Sequence, residues 1–250
     1  MQRQRFELKF RVDEPTARAI GDAVNRRLEP DPFGQDQADG AYPIHSLYLD
    51  SPQLSLFQAT VNGDRNRFKL RLRFYNDDPT SPVFLETKRR ANDCILKERV
   101  AVHRDRIGPM LSTSFPTLTD LLRPTATQLE TAHSFCRQMD RLRARPVAHV
   151  AYRRQAWFAL GENPARVTID YGTVCAIHDS FDISTQMVRP VSAFSPGEVI
   201  VEFKYTERFP VWLSDIARDH GLVRTSAAKY VDGLTHSRTR RSSAPHLVSV

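Results

Sequence analysis

From Arg67 to Phe74 cationic and apolar residues alternate strictly, as Arg-Phe-Lys-Leu-Arg-Leu-Arg-Phe. A period of two is that of a β-strand and fits no helix. The strand would carry Arg67, Lys69, Arg71 and Arg73 on one face and Phe68, Leu70, Leu72 and Phe74 on the other. Like charges a pleat apart repel by roughly a few tenths of a kcal/mol or more. Such a row is tolerable in water, or useful where a dense anion lies against it.

Alternation recurs along the chain. Arg5 to Val12 predicts a first strand, with Arg5, Glu7, Lys9 and Arg11 in phase. Asp13, Glu14 and Pro15 then start a helix that runs to about Leu28. Residues 29–41 are rich in Pro, Gly and Asp and predict a loop. Tyr42 to Asp50 predicts a packed strand, followed by a short apolar segment through Val61 and a turn at Asn62-Gly63-Asp64. The basic strand ends at Asn76-Asp77-Asp78-Pro79. Val83 to Arg90 and Ile95 to His103 complete an antiparallel meander around the turn Asn92-Asp93.

Helices are expected at 105–112 and 126–143. Strands resume at 147–158 and 166–171, with weaker signals near 174–178 and 186–191. Gly197 to Thr206 is a clear strand, Val211 to His220 a helix, and a short helix surrounds Lys229. There is no internal repeat and no domain boundary, so residues 1–235 are expected to form one domain. From His236 the chain is basic and Ser-rich, and residues 236–250 are predicted to be a disordered tail.

Composition narrows the function. The formal charge of +7 calls for an anionic partner such as nucleic acid, a membrane surface, nucleotide or polyphosphate. Of 36 basic residues only six are lysines: Lys9, Lys69, Lys88, Lys97, Lys204 and Lys229. In so arginine-rich a chain, the remaining lysines mark places where a compact ammonium serves and a planar guanidinium does not. Three separate cysteines in no CxxC pair predict a reduced, cytoplasmic protein without a zinc site. The N-terminus lacks the apolar core of a signal peptide, and no apolar run approaches the roughly 20 residues of a membrane span.

The spacing Glu-x-Lys occurs three times, as Glu7/Lys9, Glu86/Lys88 and Glu202/Lys204, each pair on one side of its strand. Apolar faces covered by helices, and charged faces turned toward each other, close into an α+β fold: an antiparallel β-barrel tunnel with a polar cationic lumen. Unpaired buried charge is expensive, so such a lumen requires an anion. Arginine forks suit phosphate oxygens, and carboxylates beside them suit magnesium bound to phosphates. The chemistry this supports is phosphoryl transfer. Ion-paired surface strands are the structural alternative. Nucleic-acid binding ranks low, because the aromatics of the central strand oppose its bases.

The ordered set of motifs resembles the catalytic domain of the vacuolar transporter chaperone (VTC) family, polyphosphate polymerases within the CYTH-like triphosphate tunnel metalloenzymes. The matching segments are Arg-Phe-Glu-Leu-Lys-Phe at 5–10, Tyr-Pro-Ile-His-Ser-Leu-Tyr-Leu-Asp at 42–50, Arg-Phe-Lys-Leu-Arg-Leu-Arg-Phe-Tyr at 67–75 and Leu-Glu-Thr-Lys at 85–88. Further along come Lys97-Glu98-Arg99, Tyr-Arg-Arg-Gln-Ala at 152–156, Arg-Val-Thr-Ile-Asp at 166–170, Val-Glu-Phe-Lys at 201–204, Pro210 to Leu213, and Ala-Lys-Tyr at 228–230.

The resemblance implies a metal-dependent enzyme that transfers the γ-phosphoryl group of ATP to a growing polyphosphate chain. Magnesium or manganese would be the cofactor. Lys69, Arg71, Arg73, Lys88 and Lys204 would act at the transferring group; Lys9, Lys97, Arg99, Arg154, Arg166 and Lys229 would bind phosphate or nucleotide. Glu202, with Glu86 and Glu7 lining the same tunnel, would hold metal, and Asp170 is a weaker acidic candidate. Without the resemblance, Arg154 and Arg166 read as strand-surface charge. A triphosphatase and a non-catalytic polyphosphate-binding module remain as alternatives.

Two positions depart from the relatives. Related triphosphatases and cyclases begin Glu-x-Glu-x-Lys, whereas Arg5 stands at the first acid; this favours the polymerase branch. Ala228 replaces the serine common before the lysine of Ser-Lys-Tyr. Eukaryotic members also carry a phosphate-sensing SPX domain and membrane segments, so coupling to transport would need a separate membrane partner.

Overall fold

The computed structural model describes residues 6–92, 94–113, 115–159, 164–206 and 208–243. Arg5 and residues 244–250 lie outside the described residues. Among the described residues, strands β1 (Phe6–Val12), β2 (Glu29–Pro30), β3 (Tyr42–Asp50), β4 (Asn66–Phe74), β5 (Val83–Ala91) and β6 (Cys94–Val102) are followed by β7 (Arg145–Phe158), β8 (Arg166–Ile177), β9 (Val191–Ser192) and β10 (Val199–Tyr205). The helices are α1 (Glu14–Asn25), α2 (Pro32–Gln35), α3 (Ser55–Val61), α4 (Ile107–Thr113), α5 (Ala126–Leu142), α6 (Val211–Asp219) and α7 (Lys229–Ser243).

One antiparallel sheet of ten strands runs in the order β1-β10-β8-β7-β3-β4-β5-β6, with β2 on β7 and β9 on β8. Helices cover its outer, apolar face. Leu70, Leu72 and Phe74 of β4 meet Ile107 of α4 and Phe135 and Met139 of α5, each at most 1% exposed. On the other flank Phe10, Ile169, Val201 and Phe203 pack against Ile20 and Val24 of α1 and Leu213 of α6. Each such side chain, fully buried, contributes about 1.5–3 kcal/mol. The Asp13 carboxylate starts α1 by accepting from the Thr16 amide at 2.8 Å. The inner face carries the charged rows, closed on one side by α7, whose Tyr230 and Leu234 pack on Tyr48, Val150 and Tyr152.

The sheet is not closed by backbone pairing, contrary to the barrel expected from alternation. The outer edge of β1 is occupied by the segment before α7: Phe10 bridges Arg224, and the Thr225 amide donates to the Lys9 carbonyl at 2.9 Å. The far edge of β6 is occupied by Leu121 opposite Val102. An ion pair spans the opening instead, with Lys88 Nζ of β5 2.8 Å from Glu7 Oε2 of β1.

Other expectations also change. The weak strand signal at 174–178 belongs to β8, which continues through Gly172 at φ 56. No strand forms at 186–190; only Val191–Ser192 pairs. The expected disordered tail from His236 is corrected for residues 236–243, which are the second half of α7. Ser237 is buried there and donates to the Cys175 carbonyl at 3.2 Å, an anchor on β8 that composition does not show. Among the described residues no helix is long and apolar enough to cross a membrane.

Candidate active site: a cationic tunnel

The basic row of β4 faces the interior of the curved sheet, in register with β5 and β6. Lys69 lies opposite Lys88, which lies opposite Lys97; Arg71 lies opposite Glu86, which lies opposite Arg99. Glu86 is fully buried and serves four cations. Arg71 Nη2 is 2.6 Å from Oε2 and Arg73 Nη1 3.8 Å; Lys97 Nζ is 2.9 Å from Oε1 and Arg99 Nε 3.3 Å. Burial would raise its pKa, but Arg71 and Arg73 outweigh that and hold the carboxyl well below its ordinary range. Hydroxyls complete the arginine contacts: Arg71 donates to Tyr48 Oη at 3.0 Å, and Arg73 to Tyr152 Oη at 3.2 Å.

The opposite wall comes from β1, β10, β8, β7 and α7. Glu202 Oε2 lies 2.5 Å from Lys204 Nζ and 3.7 Å from Arg154 Nη2, and Oε1 lies 3.3 Å from Lys9 and 3.5 Å from Lys229. Asp170 is fully buried and takes both arms of Arg154, at 2.6 and 2.7 Å, plus Lys229 at 2.6 Å. Lys9 also reaches Glu7 Oε1 at 3.3 Å. Burial opposes ionisation of Glu202, yet Lys204, Lys9 and Lys229 hold it well below the usual carboxylate range. Burial likewise opposes ionisation of Glu7, and Lys88 and Lys9 keep it low.

These walls enclose a cavity of about 450 Å³. Twelve of the fifteen residues singled out from the sequence line it: Glu7, Lys9, Lys69, Arg71, Arg73, Lys88, Lys97, Arg154, Arg166, Glu202, Lys204 and Lys229. The other three are Glu86, Arg99 and Asp170. The register seats Glu86 between Arg71 and Arg99, fully buried behind the cavity-lining Arg71, Arg73 and Lys97, and its cation partners are all different from those of Glu7 and Glu202. Arg99 reaches past the cavity to donate to Tyr75 Oη at 2.9 Å. Arg166, also a lining residue, pairs with Asp31 at 2.7 Å.

Charge in the tunnel is unbalanced. Ten cationic side chains, the twelve lining residues less Arg166 and the two acids but with Arg99 added, meet four carboxylates, Glu7, Glu86, Asp170 and Glu202. Lys69 shows the consequence: among the described residues it has no carboxylate partner, and burial, then Lys9 and Lys88, push its ammonium down to about 7. Burial also pushes Lys97 to about 7 and Lys204 to about 8, although Glu86 and Glu202 oppose it. A polyanion bound between these walls would restore every one of those charges.

Three lining groups escape the sequence pattern: Tyr48, Tyr152 and Thr206. Tyr48 shares its strand parity with Ser46, a phase visible in the alternation of 42–50, but the apolar content of that segment predicts packing on both faces.

Among the described residues no cluster of three or more His, Cys, Asp and Glu could hold a metal ion alone. Glu7 and Glu202 nevertheless converge, each with an oxygen 3.3 Å from the same Lys9 ammonium, so the spot between them already favours a cation. Among the described residues, Glu7 Oε1 is buried there and accepts no hydrogen bond. Hard carboxylate oxygens of this kind suit magnesium or manganese, which take one or two carboxylates and complete their shell with water and substrate phosphates. The donor set fits such an ion.

An antiparallel sheet curled around a buried, cation-rich tunnel with carboxylates set among the cations of both walls defines a triphosphate-tunnel protein. The VTC domain model matches residues 4–237, and the chain belongs to that family. Among solved structures, a candidate adenylyl cyclase from Hippeastrum with a dominant triphosphatase activity is similar at a TM-score of 0.51 and 14% identity, over 99% of this chain and 100% of that one. A candidate adenylate cyclase from Bacillus halodurans is similar at a TM-score of 0.50 and 8% identity, over 90% and 94%. At these identities the likeness is one of fold. No curated protein matches the chain in sequence.

Proposed function

We propose that the chain is a polyphosphate polymerase that moves the γ-phosphoryl group of ATP onto the end of a polyphosphate chain held in the same tunnel. One observation carries the choice of acceptor. The 450 Å³ cavity shares Glu7, Lys9, Lys69 and Lys88 with a second cavity of about 460 Å³, which continues to Arg67, Arg90 and Arg224. A triphosphate fills the first, and a linear polyanion has a cationic path through the second.

In this reading Lys69, Arg71, Arg73 and Lys88 hold the phosphates in line and stabilise the charge spread over the transferring oxygens. Lys204 and Lys229 complete the opposite side. The bond between the γ-phosphorus and the β–γ bridging oxygen breaks, a terminal oxygen of the polyphosphate forms the new one, and ADP leaves. That oxygen is already ionised at neutral pH, so no general base is needed. Glu202 and Glu7 are the groups that would hold a divalent cation, which when bound neutralises phosphate charge. Glu86 spaces the arginines rather than meeting substrate. Hydrolysis, with water as acceptor, is the second reading, and the fold shared with the Hippeastrum protein favours it.

Incubation of the protein with ATP and manganese, with and without a short polyphosphate primer, separates the two by gel and phosphorus NMR. The expected result is lengthening chains with matching ADP, reduced at least about a hundredfold in Glu202→Gln. Free phosphate without chains would replace the polymerase reading with the triphosphatase.

A further inference from the structure

The inner face of the tunnel changes character at one end. On β4 the interior phase runs Arg67, Lys69, Arg71, Arg73 and then Tyr75, immediately after the strand. Stepping the same way, β5 passes from Lys88 through Glu86 to Phe84. Cations therefore give way to aromatic rings toward the same end of β4 and β5, and Tyr42 of β3 lies beside them, its ring 6.4 Å from that of Tyr75.

A fourth ring caps them. Phe33 of α2 is 76% exposed, yet its ring lies 6.0 Å from Tyr42 and 6.3 Å from Tyr75, with the Phe33 and Tyr75 planes only 3° from parallel. That separation is at the wide end for a ring pair, and the exposed Phe33 ring is open to a further planar group. Arg99 stands beside them, with Cζ 3.6 Å from the Phe84 centroid and its guanidinium on Tyr75 Oη. Asp31 ties this cradle to the tunnel: its carboxylate holds Arg166 at 2.7 Å and caps the Phe33 amide at 3.2 Å. Tyr42 lies opposite Arg154 in the β3–β7 register.

We propose that Phe33, Tyr42 and Tyr75 form a nucleobase site, which grips a purine-sized planar ring by stacking while its phosphates extend to Arg73, Arg71 and Lys69. The spacing suits a nucleoside triphosphate. Tyr75 and Arg71 are four residues apart on an extended strand, or about 13 Å, the scale of a ribose and its phosphates. The site also sets polarity: the base lies at the Tyr75 end and the γ-phosphate at the Lys69 end, facing the second cavity where an acceptor chain would lie. Stacking on side chains without hydrogen-bond readout tolerates any base, so purine nucleotides of either kind are accepted. The inference rests on the tunnel binding a nucleotide and is independent of which acceptor is used.

The test is calorimetric binding of ATP and of inorganic tripolyphosphate to wild type, Phe33→Ala and Phe33→Trp. The exposed Phe33 side chain can be removed without disturbing the core. Phe33→Ala is expected to weaken ATP by about fivefold or more and leave tripolyphosphate within twofold, while Phe33→Trp retains ATP. Equal weakening of both ligands, or of neither, overturns the base site. Wild-type binding of tripolyphosphate but not of ATP overturns it too, while leaving the tunnel reading intact. A protein that makes no polyphosphate yet shows the selective ATP loss would uphold the site and remove only the polymerase.

Discussion

Lys69 stands on β4 between Lys9 and Lys88, and burial with those two charges brings its ammonium down to about 7. In the free protein its proton is lost as pH rises through that value. Phosphate oxygens within reach of the ammonium favour its charged form and bring the proton back. Binding above pH 7 therefore takes up protons, and affinity falls as pH rises, by at most about tenfold per pH unit for each proton taken up. Lys97, at about 7, and Lys204, at about 8, add to the uptake in the same window. The ligand for this count is ATP, whose terminal phosphate loses its last proton at roughly 6–7 and has finished titrating by about pH 8.5. Calorimetry in buffers of different ionisation enthalpy counts the protons. Net uptake is expected at about pH 8.5, reduced in Lys69→Arg, whose guanidinium stays charged throughout. Proton release in the wild type would rule the account out, as would an unchanged count in the variant.

Helix α7 delivers Lys229 to the tunnel, and a glycine lets it approach. A Cβ on Gly233 would sit 2.5 Å from Cys175 Cβ on β8 and 3.3 Å from Ala193 Cβ, so only glycine fits the contact. Gly233→Ala is expected to cost about 1–3 kcal/mol by overpacking. By lifting the helix it should also weaken tripolyphosphate binding, because Lys229 Nζ then leaves Asp170 and Glu202, now 2.6 and 3.5 Å away. Thermal unfolding and a binding titration check both, and a variant with wild-type values in each would show that the contact relaxes freely. Nothing in the local sequence marks this glycine, whereas the alternation at 67–74 displays Lys69, Arg71 and Arg73 directly. The difference is physical. A period of two is a property of one strand, so the charged faces and the three Glu-x-Lys pairs are legible. Which acid meets which cation depends on register and on partners far along the chain. Hence the enclosure of Glu86 by four cations, the Glu7–Lys88 pair across the sheet opening and the anchoring of α7 by Ser237 leave no local signal. The aromatic end of the tunnel is half visible, since Tyr75 continues the basic phase; Phe33 arrives from a Pro- and Asp-rich segment and gives no periodic signal.

Across the whole molecule the formal charge of +7 and the tunnel's own excess of cations act together. Surface charge is screened within about 8–10 Å at physiological ionic strength, but buried cations are screened much less. Their mutual repulsion is built into the empty fold, held in check by four carboxylates and by the two hydrophobic layers outside the sheet. An anion that enters the tunnel should therefore stabilise the fold in proportion to its binding alone. At a hundred times its dissociation constant, tripolyphosphate adds about 2.7 kcal/mol. For a chain of this size each kcal/mol raises Tm by about 2–4 °C, so a rise of roughly 5–10 °C is expected. Duplex DNA at the same phosphate concentration reaches only the outer basic surface and should give little shift at physiological salt. The rise with tripolyphosphate should survive an increase in salt better than any effect of DNA, because its counter-charges are enclosed. Thermal unfolding with each ligand at two salt concentrations makes the comparison. Equal shifts from the two polyanions, both erased by salt, would mean that the chain binds anions on its surface and that the tunnel is not the site.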